Sequence, residues 1–207
     1  MKKFIKIPLV LAIVTFFTSG LLMLSEYLTH DKIAEQKKML LLQSLQQLIP
    51  HELHDNDLTQ STQLIYEPKL LGHRKQQTLY IGKKGDKITV FAIPVTARNG
   101  YSGDIDLMVG IKTDGTITAV KILEQHETPG LGDLIEPKKS DWLMQFLHKS
   151  IKNPNLKNWK VKRDGGQFDQ ITGATITPRA VVSAIKQALL YQQNLLQNEG
   201  KIREIKK

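Results

Sequence analysis

Residues Asp169-Gln170-Ile171-Thr172-Gly173-Ala174-Thr175 put two threonine hydroxyls, a Gly and an Ala directly ahead of a helix signal. Thr177 can cap that helix and Pro178 suits its first turn. Val181, Val182, Ile185, Ala188 and Leu189 then recur as an apolar stripe at helical spacing. A helix start leaves backbone N–H groups without intrahelical acceptors and carries a partial positive charge, which suits a phosphate. Gly173 and Ala174 leave Thr175 sterically open. A Thr hydroxyl held there can carry a phosphate ester, provided another protein makes the bond. These features alone favour an ordinary capped helix start over an anion site.

A second stretch with chemical potential is "EQHETPGLGD", Glu124 to Asp133. Pro129, Gly130 and Gly132 shape a tight loop, and Gly lets backbone approach a ligand closely. His126 and Glu127 can donate and accept hydrogen bonds there. A structural or ligand-shaping role for His126 outweighs general-base catalysis or metal ligation, because a lone His beside a strand end lacks partners for either. His51 and His54 are three residues apart, a spacing that can bind metal on a helix, but no third ligand follows, so the segment reads as solvated.

Composition removes other chemistries. The chain has 207 residues, no Cys and a net charge of +9. Without Cys there are no disulfides, thiolate metal sites, iron–sulfur ligation or thiol catalysis. The lysines are scattered and form no nucleic-acid-binding module. No G-x-G-x-x-G opens a helix and no Walker A sequence occurs, so a nucleotide cofactor would be held in some other way.

The elements that must position these loops follow from hydrophobic periodicity. Leu79 and Ile81, then Ile88, Val90 and Ile93, supply two strands around Lys84-Gly85-Asp86. Ile105, Leu107 and Val109 alternate before Asp114-Gly115, with Ile117, Val120 and Ile122 after it, which predicts a hairpin with a type I′ turn. "SDWLMQFLHK" predicts a short helix capped near Ser140 or Asp141, with Trp142, Phe146 and Leu147 toward the core. Antiparallel hairpins with helices at both ends define an α+β domain.

At the amino end, Lys2, Lys3 and Lys6 precede an apolar run from Ile7 to Leu24, long enough to span a bilayer. The positive-inside rule keeps the lysines cytoplasmic and sends the remainder across. No A-x-A-like cleavage site is present, which favours an uncleaved anchor over a signal peptide. Asp31 to Ile49 has helical spacing and should end at Pro50, and residues 51–72 read as polar. The expected organisation is a cytoplasmic basic tail at 1–8, a single transmembrane helix at 9–29, a helical and polar connecting segment at 30–75, and a periplasmic domain at 76–207.

The seven residues Asp169 to Thr175 resemble the flavinylation signal of the FMN-binding domain family: an Asp, two variable residues, Ser or Thr, then Gly-Ala-Thr. Chance would produce such a match in on the order of one chain in a thousand. "HETPGLGD" resembles the family's second signature, in the expected order upstream. The short length and the "TGATITPRAV" wording most resemble the G-subunit branch, from the Rnf (Rsx) electron transport complexes. A related branch is the C-subunit one, from the sodium-translocating NADH:quinone reductases. The resemblance spans essentially the whole chain, with no departure in either signature.

The resemblance implies an electron-transfer subunit of an ion-translocating oxidoreductase in the bacterial inner membrane, rather than a stand-alone catalyst. Such complexes couple ferredoxin and NAD to ion movement, or keep a redox-sensing regulator reduced. Thr175 would bear FMN through a phosphoester. Asp169, Thr172, Gly173 and Ala174 would serve as the recognition motif. The loop of His126, Glu127, Thr128, Gly130, Leu131 and Gly132 would lie near the flavin. No metal site is implied in this chain. Partners would be the membrane and iron–sulfur subunits, together with a flavin transferase that uses FAD and magnesium and releases AMP. The alternative is a membrane-anchored sensory or interaction subunit that uses flavin without electron-transfer turnover.

Overall fold

Strand-forming residues at alternating positions build one antiparallel meander. In the computed structural model, which describes residues 11, 12, 14–23, 39 and 42–205, the strands are β1 (Thr62–Ile65), β2 (Gln77–Lys84), β3 (Lys87–Ala97), β4 (Ile105–Lys112) and β5 (Ile117–Glu124). Their order in the sheet is their order in the chain. Period-2 alternation gives β3 two faces. Phe91, Ile93 and Val95 join Leu107 and Val109 of β4 in the core beneath the C-terminal helix, Ile176–Ile205. That helix contributes the expected stripe of Val181, Val182, Ile185, Ala188 and Leu189, all buried. Burying each Val, Ile or Leu of that stripe stabilises the fold by about 1.5–3 kcal/mol.

Residues 42–48 are helical and the helix ends before Pro50 as expected, and Leu45, Leu48 and Ile49 are fully buried. It is tied to the sheet through the Thr118 hydroxyl, which donates to the Leu48 carbonyl, and through Lys121 Nζ, which donates to Ser44 Oγ at 2.6 Å. The chain forms two compact units, Met1–Gln43 and Ser44–Lys207. In the first, residues 14–23 are helical, and Phe16, Phe17, Leu21, Leu22 and Met23 are exposed. Among the described residues, no helix is long and apolar enough to cross a membrane. The ends of the expected 9–29 anchor, the basic tail and most of 30–41 lie outside the described residues.

Four expectations need correction. Residues 51–72 are not merely polar, because they contain a 3-10 turn at His51–Leu53 and the edge strand β1, whose inward Ile65 is buried. The Asp114-Gly115 connection is not a type I′ turn. Only Gly115 has positive φ (86°), while Asp114 accepts the Thr116 N–H through Oδ1 at 2.8 Å and keeps an ordinary backbone. The short helix expected after Ser140 is present, as the 3-10 helix Trp142–Phe146 with Asp141 before it, but its buried face is shifted. Three residues per turn puts Leu143 and Phe146 on the buried side, leaving Trp142 and Leu147 half-buried. Finally, Thr177 does not cap the last helix. The helix starts at Ile176, and Thr175 is the residue before it.

The fold buries an imidazole. His73 is fully buried, with Nδ1 accepting the Glu67 N–H at 3.3 Å and Nε2 donating to the Pro94 carbonyl at 2.9 Å. Desolvation holds its pKa below the usual 6.5, although the Pro94 carbonyl, Asp106 and Glu67 pull the other way. Below that pH the unfolded chain takes up the proton first, so stability falls as pH drops from 6.5 toward the native value. The carboxylates of Asp104, Asp133 and Asp164 are held below 3.8 by hydrogen bonds from Arg74, Lys139 and Arg179, so their contribution is lost only in stronger acid. Thermal melts should therefore show the midpoint already declining as pH drops below 6.5. In His73→Gln that upper slope should disappear.

Candidate functional site

Asp169 is set by an aromatic bracket. Phe168 packs on Phe146 (centroids 4.8 Å apart) and on Trp159 (4.6 Å), so the residue before the motif is anchored in the core. Trp142 Nε1 donates to the Asp169 carbonyl at 2.8 Å, and the Asp169 N–H donates to Gln145 Oε1 at 2.6 Å. Both backbone groups of Asp169 are thus fixed by the 142–146 turn. Its side chain stays exposed and pairs with Lys162 at 2.5 Å.

The motif then folds into a turn. The Ala174 N–H donates to the Ile171 carbonyl at 3.1 Å, and Gly173 has φ 81°, the conformation a type II turn requires at its third residue. A Cβ on Gly173 would also come within 2.8 Å of Leu131 Cδ2 in the other signature loop. Position 173 therefore needs Gly for its backbone, while the exposed Leu131 tip could move aside for a Cβ. The turn delivers Thr175 to the helix N-terminus, where Pro178 falls within the first turn and lacks an N–H in any case. Among the described residues, the Thr175 hydroxyl has no hydrogen-bond partner. It is a helix-start hydroxyl that does not cap its helix.

The second signature supplies the opposite wall through Glu127, whose side chain is buried. Oε1 accepts the Ser102 N–H at 2.9 Å. Oε2 accepts the Tyr101 N–H at 3.3 Å and the Thr177 hydroxyl. One carboxyl group thereby ties the 99–103 loop, its own loop and the helix start together. Thr177, one residue inside the helix, is drawn into this buried contact. Beyond Glu127, Asp133 is buried against Lys139 at 2.6 Å.

These walls enclose a cavity of about 260 Å³ lined by Tyr101, Glu127, Thr128, Leu131, Gly132 and residues 173–177. The structure therefore brings Thr175, Gly173, Ala174, Glu127, Thr128, Leu131 and Gly132 together from loops about forty positions apart in the chain. Gly130 lies in the same loop with φ 77° but is not part of the lining. Asp169 and Thr172 stand outside the cavity, Asp169 through its ion pair and Thr172 exposed on the turn. His126 is also outside it, exposed and 3.9 Å from Glu124. His51 and His54 stack on each other at 5.5 Å. Besides Ile176, and Thr177, which was read only as a cap, Tyr101 is a lining residue that sequence reasoning missed. Its signal was the Gly-flanked "NGYSG" after β3, which looks like any connecting turn.

The lining suits a flavin phosphate ester. A hydroxyl without a partner among the described residues sits at a helix N-terminus, Gly173 and Ala174 leave it room, and Tyr101, Leu131 and Ile176 offer partly exposed apolar surface for a ring system. No Lys or Arg lines the cavity among the described residues. A phosphate there would meet backbone N–H groups and the helix dipole rather than a cationic side chain.

Comparison with known proteins defines the class first. The model of the FMN-binding domain family matches residues 100–190, a span that contains every cavity residue. The G subunit of the ion-translocating oxidoreductase complex of Vibrio atlanticus is 47% identical over 183 residues, covering 88% of this chain and 87% of that protein. The corresponding G subunit of Cronobacter sakazakii is 45% identical, with 89% and 88% covered, and that of Shewanella oneidensis is 44% identical, with 90% and 88% covered. The chain belongs to this family, the G subunits of ion-translocating oxidoreductase complexes. A looser likeness links it to the crystal structure of Shewanella oneidensis NqrC, at 20% identity and a TM-score of 0.43 over 64% of this chain and 67% of that one.

Proposed function

We propose that this protein is an electron carrier that holds FMN covalently, through a phosphoester on the Thr175 hydroxyl. The observation that supports this most is the Thr175 hydroxyl itself, which lines the cavity at a helix start and has no partner among the described residues. In maturation, Thr175 Oγ forms a bond to the flavin-side phosphorus of FAD. The FAD pyrophosphate bond breaks, AMP leaves, and the hydroxyl proton passes to the transferase or to water. Asp169 and Thr172, exposed outside the cavity, are placed for recognition by that transferase rather than for contact with the bound group. FMN, once bound, accepts and releases one or two electrons. The chain supplies the rest: Gly173 and Leu131 close one wall, Glu127 fixes the other, and the helix N-terminus offsets the phosphate charge.

In this proposal residues 9–29 anchor the chain in the inner membrane, residues 1–8 stay cytoplasmic and the flavin domain is periplasmic. The partners are the membrane and iron–sulfur subunits of the complex. A redox titration of the purified complex tests the carrier role. Substrate turnover should reduce this flavin, seen as an absorbance change missing from a complex assembled with the Thr175→Ala variant. A flavin that turnover leaves oxidised removes the carrier role.

A further inference from the structure

The segment 148–163, "HKSIKNPNLKNWKVKR", contains six cations, Lys149, Lys152, Lys157, Lys160, Lys162 and Arg163. No Asp or Glu occurs between Asp141 and Asp164. All but the half-buried Lys149 are exposed, and among the described residues only Lys162 is in a salt bridge, to Asp169. Asp164, which closes the run, is already engaged by both Nε and Nη2 of Arg179 at 2.6 Å. The rest of the positive charge has no ion-pair partner among the described residues.

This lobe is rigidly placed. Trp159 is buried, and its Nε1 donates to the Ser150 carbonyl at 3.0 Å. The Lys162 N–H donates to the Phe168 carbonyl at 2.7 Å, and the Phe168 N–H donates to the Lys160 carbonyl at 3.1 Å. Phe168 runs directly into Asp169 and the cavity turn. Lys162 pairs with Asp169, and Arg179 lies in the first turn of the helix whose start lines the cavity. The charge is therefore built onto the framework that holds the cavity.

We infer that this lobe is a docking surface for an acidic face of a redox protein partner, which it seats beside the cavity. The inference rests on the carrier role proposed above. Charge complementarity steers association and fixes orientation, and interfaces set such charges around a small apolar contact. Leu156, 43% exposed in the middle of the run, supplies that contact. A lipid surface fits less well. Membrane-lying segments insert several large apolar residues, whereas the aromatic residue of this lobe, Trp159, is already buried.

The test uses the whole complex, reconstituted in nanodiscs, with the reduction of this flavin followed by stopped flow. Wild type should slow about tenfold or more as ionic strength rises from about 0.02 to 0.4 M. A K152E/K157E/K160E/R163E variant, with full FMN content by intact mass, should be slowed to a similar degree at low salt and lose the salt dependence. Both effects should persist in pure phosphatidylcholine. A flat wild-type salt series overturns the inference by itself, whether or not the variant matures. So does wild-type speed in the FMN-loaded variant, or a defect seen only when about 30% phosphatidylglycerol is present, which would assign the lobe to lipid. Wild-type flavin that is never reduced instead overturns the carrier role.

Discussion

Thr175→Ala is expected to remove flavin from this protein completely while leaving its stability almost unchanged. The two halves of that expectation have different causes. Among the described residues the hydroxyl makes no hydrogen bond, so its loss leaves no buried group unpaired and no cap broken. The cost should stay within the roughly ±0.5 kcal/mol of an ordinary surface change. Retention of free FMN is weak for an electrostatic reason. Among the described residues no Lys or Arg lines the cavity, and a buried carboxyl group, Glu127, forms part of its wall. A free phosphate monoester carries close to two negative charges. The helix N-terminus offsets these by only about 0.3–1 kcal/mol per charge at a surface site. An ester on Thr175 leaves one negative charge and removes the need for affinity. Thr175→Ser keeps a hydroxyl at the same position and should still be loaded. Intact mass and in-gel fluorescence after co-production with a flavin transferase separate these outcomes. FMN that stays with Thr175→Ala through gel filtration would contradict the electrostatic argument, and covalent FMN on that variant would exclude Thr175 as the acceptor.

What sequence could and could not reveal divides along local and tertiary lines. The meander was legible because strand formers such as Ile88, Val90 and Ile93 cluster, and Ile105, Leu107 and Val109 alternate, around glycine-containing turns, and both are local signals. So was the C-terminal helix, with five buried stripe positions spaced as a helix demands. Both site loops were legible as well, since Gly and small-residue clusters mark close approach. Their convergence on one cavity was not legible, because nothing in either loop encodes the other. It depends on Leu131 packing against Gly173 and on Glu127 reaching Thr177, fifty residues away.

The errors share a cause. Thr177 looked like a cap because a Thr before Pro usually is one, but the helix starts at Ile176 and the Thr177 hydroxyl goes to a buried carboxyl group. Asp114-Gly115 looked like a type I′ pair, but the Asp114 side chain bonds the local backbone and changes the turn. β1 escaped notice because an edge strand of four residues with one buried side chain has almost no periodicity to read. Tyr101 was missed because its place in the lining is set by backbone N–H bonds of the 99–103 loop to Glu127, not by its own type.

That dependence makes Glu127 the position where a single change should do the most structural damage to the site. Glu127→Ala removes the acceptor of three donors at once: the Tyr101 N–H, the Ser102 N–H and the Thr177 hydroxyl. A donor left unpaired in a fully buried setting costs about 1–3 kcal/mol. Here only the Thr177 hydroxyl is fully buried, while the Tyr101 and Ser102 N–H groups are part-buried and within reach of water. A total of roughly 2–3 kcal/mol is expected, enough to lower Tm by about 5–10 °C in a chain of this size. The 99–103 loop and the helix start would lose their common tie, so the transferase should load this variant poorly even below its Tm. Glu127→Gln should behave differently. Its amide oxygen can keep the 2.9 Å bond to Ser102, while its NH₂ faces Thr177, whose hydroxyl can turn to accept. Only the longer 3.3 Å bond from Tyr101 is lost, which predicts about 1 kcal/mol and near-normal loading. Melting curves and FMN stoichiometry on the two variants decide the matter. If Ala and Gln are equally damaging, the carboxyl group acts through its charge. If Gln is mild and Ala severe, it acts as the hydrogen-bonding junction that joins two distant signatures into one site.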